Sequence, residues 1–81
     1  MKKVKLSPVE REILWTLEEA GAENLSTLAA TVKGIIKEVS NETFSQSLDN
    51  LERKKFVYFE KSDINGNSVV LTEKGRIYLS I

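Results

Sequence analysis

Apolar positions recur at helical spacing in three stretches of the chain, and at strand-like spacing in two more. Over residues 8–20, Val9, Ile13, Leu17 and Ala20 fall on one stripe with Leu14 beside it. Ser7 and Glu10 fit the capping box S-x-x-E, Pro8 takes the first helical position, and Gly21 stands where a helix stops. The pattern predicts a helix over 8–20. A second helix, over 27–38, follows from Leu28, Val32, Ile35, Ile36 and Val39, with Ser26 as its N-cap. Gly34 lies inside it, either as a cost of about 1 kcal/mol against alanine or as the mark of an earlier end. A third helix starts at Ser40 or Asn41 and turns Phe44, Leu48 and Leu51 inward, with Ser47 at the edge. It ends around Lys54 and Lys55, whose charges suit the negative end of the helix dipole.

After residue 55 the period changes. "FVYFEKS" and "NSVVLT" are rich in β-branched and aromatic residues, and Asn65-Gly66 between them is a strong hairpin signal. Thr72 can cap a last short helix in "EKGRIYLSI". The reading is α+β: one domain over residues 1–81, with a three-helix bundle, a C-terminal two-stranded β-hairpin and a short terminal helix.

Composition narrows the function. The chain has 81 residues, 41% of them hydrophobic, which is enough for one core. No apolar run is long enough to span a membrane, and "MKKVKLSPVE" has no apolar signal-peptide region. A cytoplasmic protein is expected. Cysteine and histidine are both absent, which removes disulfides, thiol chemistry, zinc fingers and histidine-based catalysis. No phosphate-binding glycine pattern runs through the four glycines. No enzyme activity, metal or cofactor is expected. Twelve cations balance twelve acids, so the chain lacks the basic excess common in nucleic-acid binders, although a local cation cluster could serve.

The order of elements and three stretches resemble the winged helix-turn-helix family, most closely small MarR- and PadR-type prokaryotic regulators. "LSPVEREILWTLEEAG" looks like their first helix, "TFSQSLDNLERKKFVYF" like their recognition helix running into a strand, and "VVLTEKGR" like the segment that closes their wing. Lys55 stands where the family pattern has glycine, and the long dimerisation helices of typical members have no counterpart in this sequence. The resemblance implies that helix 3 enters the major groove of double-stranded DNA while the hairpin wing follows the phosphate backbone. Glu42, Gln46, Asp49, Asn50 and Arg53 then lie opposite the Phe44/Leu48/Leu51 stripe. Gln46 and Asn50 can pair with adenine, and Arg53 with guanine or phosphate. Thr43 and Ser45 can donate to phosphates, and Lys54 and Lys61 can reach the backbone.

Plainer readings stand beside these. A polar helix face can simply be solvated, Arg53, Lys54 and Lys55 can serve the helix dipole, and the hairpin can be structural only. The alternative to a DNA-binding regulator is a winged-helix protein–protein interaction module within a transcription or replication complex. Trp15 lies nearly opposite the Ile13/Leu17 stripe, and Ile77, Tyr78, Leu79 and Ile81 crowd the C-terminus. Either these two surfaces cover each other within one chain, or Trp15, Ile77, Tyr78 and Ile81 form a homodimer interface.

Overall fold

The computed structural model describes residues 5–62 and 66–80. Its elements run α1 (Pro8–Ala20), β1 (Ala22–Asn24), α2 (Leu25–Ile35), α3 (Asn41–Arg53), β2 (Val57–Ser62), β3 (Gly66–Leu71) and α4 (Glu73–Ser80).

α1 matches its expected span because both ends are chemically marked. The Glu10 N–H donates to Ser7 Oγ at 3.2 Å, and the Ser7 N–H donates to Glu10 Oε1 at 2.8 Å. At the other end Gly21 takes φ 81° and its N–H returns to the Leu17 carbonyl. Leu14, expected beside the Ile13/Leu17 stripe, is fully buried with it. α2, α3, β3 and α4 all pack on α1, so its buried band is wider than one stripe.

α2 starts and stops earlier than 27–38. Its cap is Asn24, whose Oδ1 accepts the Thr27 N–H at 3.1 Å, so Ser26 falls inside the first turn. The helix ends at Ile35 because Gly34 and the β-branched pair Ile35–Ile36 are weak helix formers. Ile36 is extended, its N–H still bonded to the Val32 carbonyl. The turn that follows brings Ile36 and Val39 back onto the core and leaves Ile35 exposed. Ser40 then caps α3 by accepting the Thr43 N–H at 3.1 Å.

The exit from α3 is a Schellman turn. The Phe56 N–H bonds the Leu51 carbonyl at 3.0 Å and the Lys55 N–H bonds the Glu52 carbonyl at 2.9 Å. Lys55 adopts φ 64°, so a lysine makes the left-handed turn that usually falls to glycine. Phe56 and Leu51, the apolar pair that accompanies this motif, are both buried.

β2 and β3 pair antiparallel from Val57↔Leu71 to Ser62↔Gly66. The expected two-stranded hairpin gains a third strand, for the sheet order is β1-β3-β2, with Ala22 opposite Val70 and Asn24 opposite Ser68. Asn65, the first half of the turn signal, lies outside the described residues.

Thr72 fastens α4 to the α3–β2 turn. Its N–H donates to the Phe56 carbonyl at 3.0 Å, and its hydroxyl donates to the Lys55 carbonyl at 2.7 Å while accepting the Gly75 N–H at 3.1 Å. Gly75 lies so close to this turn that a Cβ there would sit 2.5 Å from the Phe56 carbonyl oxygen. Tyr78, one turn further on, packs on Phe56 with ring centroids 5.1 Å apart. The expected core holds: Ile13, Leu17, Leu28, Val32, Phe44, Leu48 and Leu51 are buried in one cluster with Phe56, Val57, Val69 and Leu71.

Candidate nucleic-acid interface

α3 separates its two faces cleanly. Phe44, Ser47, Leu48 and Leu51 are buried, while Glu42, Thr43, Ser45, Gln46, Asp49, Asn50 and Arg53 are exposed. Gln46, Asp49, Asn50 and Arg53 line one shallow polar hollow on the outward side. These four side chains offer amide donors and acceptors, a guanidinium and a carboxylate, which is the chemistry needed to meet base edges.

The other expected contact residues divide. Thr43 belongs partly to the cap, since its Oγ1 accepts from Ser40 Oγ at 3.0 Å; its own hydroxyl proton is still free to point outward. Ser45 is exposed at the rim of a second hollow. Lys61 is exposed on β2, opposite Asn67 on β3, and the hairpin tip beyond it lies outside the described residues.

Lys54 has a partner within the fold. Its Nζ lies 3.8 Å from Glu10 Oε2, at the start of α1. Glu10 is buried, and while its Oε1 takes the Ser7 N–H, its Oε2 has no hydrogen-bond partner. A buried carboxylate oxygen in that condition needs a compensating charge. Lys54 is the cation beside it, and its side chain stays about one-third exposed, at 35%.

Three features escaped the sequence reading. Asp49 stands at the boundary of the two hollows and lines both. Lys33 on α2 donates to Asn41 Oδ1 and ties α2 to the start of α3. The second hollow is largely apolar, with Leu25, Ala29, Phe44, Leu48 and Phe59 in its walls. Phe59 follows Val57 at the strand period of two, so its place on the body-facing side of β2 was open to inference.

The expected assembly surface is also divided. Trp15 is 49% exposed and Ile77 53%. Glu18, one turn beyond Trp15, lines a groove with Ile77, Arg76 and Ser80 of α4. Tyr78 must be removed from that surface, because its ring is buried against Phe56. Ile81 lies outside the described residues. Leu6 and Leu79 pack against the core, and Trp15 stays about half exposed.

Among the described residues no three His, Cys, Asp or Glu side chains gather where a metal could be held. Among the described residues no helix is long and apolar enough to cross a membrane.

A helix-turn-helix, α2 to α3, followed by a β-hairpin and closed by a strand between α1 and α2, is a winged helix. The fold is of the MarR type: the chain is similar to the crystal structure of a MarR-family transcriptional regulator from Silicibacter pomeroyi, at 29% identity and TM-score 0.74. The likeness covers 93% of this chain and 48% of that one, so the chain spans about half the length of the protein it matches. No protein-family model and no curated protein matches it.

Proposed function

We propose that the chain is a sequence-specific DNA-binding transcriptional regulator, with α3 in the major groove and the β2–β3 wing along the phosphate backbone. The observation that carries this reading is the outward face of α3, where Gln46, Asn50 and Arg53 gather in one polar hollow with no apolar side chain among them. The likeness to a transcriptional regulator supports it. Gln46 and Asn50 read base edges, Arg53 reads guanine or phosphate, and Thr43, Ser45 and Lys61 hold the backbone. No cofactor enters this role. The protein works in the cytoplasm as a homodimer that matches a palindromic site, with Trp15 and Ile77 at or near the two-fold axis. Their exposure on neighbouring helices supports that edge, and burying them contributes at about 25 cal/mol per Å² against the entropy of association.

One observation favours a second reading, a winged-helix module that binds protein. Leu25 and Phe59 are partly exposed in the apolar hollow on the same front as α3, and the chain carries no net positive charge. A gel shift against DNA from upstream of the chain's own gene, at low and moderate salt, separates the two. Retarded DNA that is competed by the same fragment and not by random DNA supports the regulator. Absence of binding at low salt hands the case to the protein-binding module.

A further inference from the structure

The reading of α3 as a groove helix leaves its two outward acids, Glu42 and Asp49, without a role. Asp49 is exposed on the outward side of α3 and lines the polar hollow beside Gln46, Asn50 and Arg53. It sits one helical turn before Arg53, and among the described residues the ion pair formed is Lys54 with Glu10, not Asp49 with Arg53. An ionised carboxylate only accepts hydrogen bonds. Placed against a phosphate it repels. Placed against a base edge it needs a donor, and the major groove offers only the amino groups of cytosine and adenine.

The second hollow decides between them. In adenine the amino group stands beside N7, an acceptor that a carboxylate avoids, whereas cytosine's N4 amino group is flanked by the apolar C5 edge. Asp49 is the one side chain that lines both hollows, and the walls on its other side include Leu25, Ala29 and Phe59. A carboxylate with apolar surface next to it matches an amino group with an apolar edge next to it. Resting on the DNA-binding reading, we infer that Asp49 is a specificity-determining residue that accepts from cytosine N4, so that each half-site contains an obligatory C·G pair within the α3 footprint. Glu42, the other acid on this side, lies two turns earlier, in the first turn of the helix, and does not line either hollow.

The test is selection of bound sequences from a randomised duplex library by the wild type, Asp49→Ala and Asp49→Asn, each first shown to be folded by its thermal melt. The wild type should enrich a C·G pair at one position, with cytosine preferred by about 5- to 150-fold in binding. Asp49→Ala should lose the preference at that position alone and bind random DNA more tightly, since one negative charge is gone. Asp49→Asn should move the preference to adenine, which asparagine can pair bidentately. If Asp49→Ala enriches the same motif as the wild type while binding every sequence more tightly, Asp49 is only a repulsive charge and the inference fails with the DNA-binding reading intact. A wild type that binds no duplex at low salt overturns both.

Discussion

Gly75→Ala is the sharpest single perturbation of the fold. A methyl group there would meet the Phe56 carbonyl oxygen at 2.5 Å and the Leu71 Cδ1 at 2.6 Å. The leucine methyl can move, but the carbonyl cannot move freely. It accepts the Thr72 N–H, and Thr72 in turn bonds Lys55 and Gly75. Alanine would favour the α4 helix by about 1 kcal/mol. Against that stands overpacking of about 1–3 kcal/mol, and the weakening of two or three hydrogen bonds at about 0.5–1.5 kcal/mol each. The net loss should be about 2–4 kcal/mol, a large part of the stability of so small a domain. Urea unfolding followed by circular dichroism measures it, with an unchanged slope showing that the denatured state is not the cause. Gly34→Ala is the control. A Cβ there meets nothing within 4 Å, so the variant should gain about 0.5–1 kcal/mol. A Gly75→Ala protein within 0.5 kcal/mol of the wild type would refute the close approach of α4 to the α3–β2 turn.

Lys55→Gly should stabilise the protein by about 0.5–1 kcal/mol, because it relieves the left-handed backbone at φ 64°; an unchanged or lower melting temperature contradicts this. Leu48→Ala should cost about 2–5 kcal/mol in chemical denaturation, as a buried leucine of α3, and a loss under half a kcal/mol would mean that the helix is not seated as described. Lys54→Met should destabilise by about 1–2 kcal/mol by stranding the buried Glu10 carboxylate, while leaving the salt dependence of DNA binding unchanged. Arg53→Ala should instead lower the salt slope by about one counterion; an equal drop below the wild-type slope for Lys54→Met would show that Lys54 also reaches the phosphates. Sedimentation at micromolar concentration should show a dimer for the wild type and weaker association for Trp15→Ala; a monomeric wild type excludes a stable dimer.

What could be read from the sequence depended on whether the signal was local. α1 and α3 were legible because Ser7, Glu10 and Gly21 mark one helix and Ser40 caps the other. The interior of α3 followed from the spacing of Phe44, Leu48 and Leu51. α2 was misplaced at both ends because Asn24 reads as a loop residue, and because Ile36 and Val39 keep helical spacing while the backbone has already turned. β1 was invisible, since Ala22, Glu23 and Asn24 carry no apolar alternation and are held in the sheet by backbone pairing to β3. The burial of Leu14 and Tyr78 and the pairing of Lys54 with Glu10 are tertiary facts. Each depends on what lies across from the residue: several elements around α1, the Phe56 ring, and the Glu10 carboxylate. The polar hollow of α3 was legible by contrast, because one helix supplies all of it, whereas the apolar hollow beside it needs α2, α3 and β2 together.

The central claim is that the outward face of α3 reads base pairs. Fluorescence anisotropy with a selected duplex and with a scrambled duplex, for the wild type and for Gln46→Ala and Asn50→Ala, tests it most directly. Each variant should lose about 1–3 kcal/mol of affinity for the selected duplex and keep its affinity for the scrambled one. Equal weakening on both duplexes, or no change on either, would contradict base reading by α3.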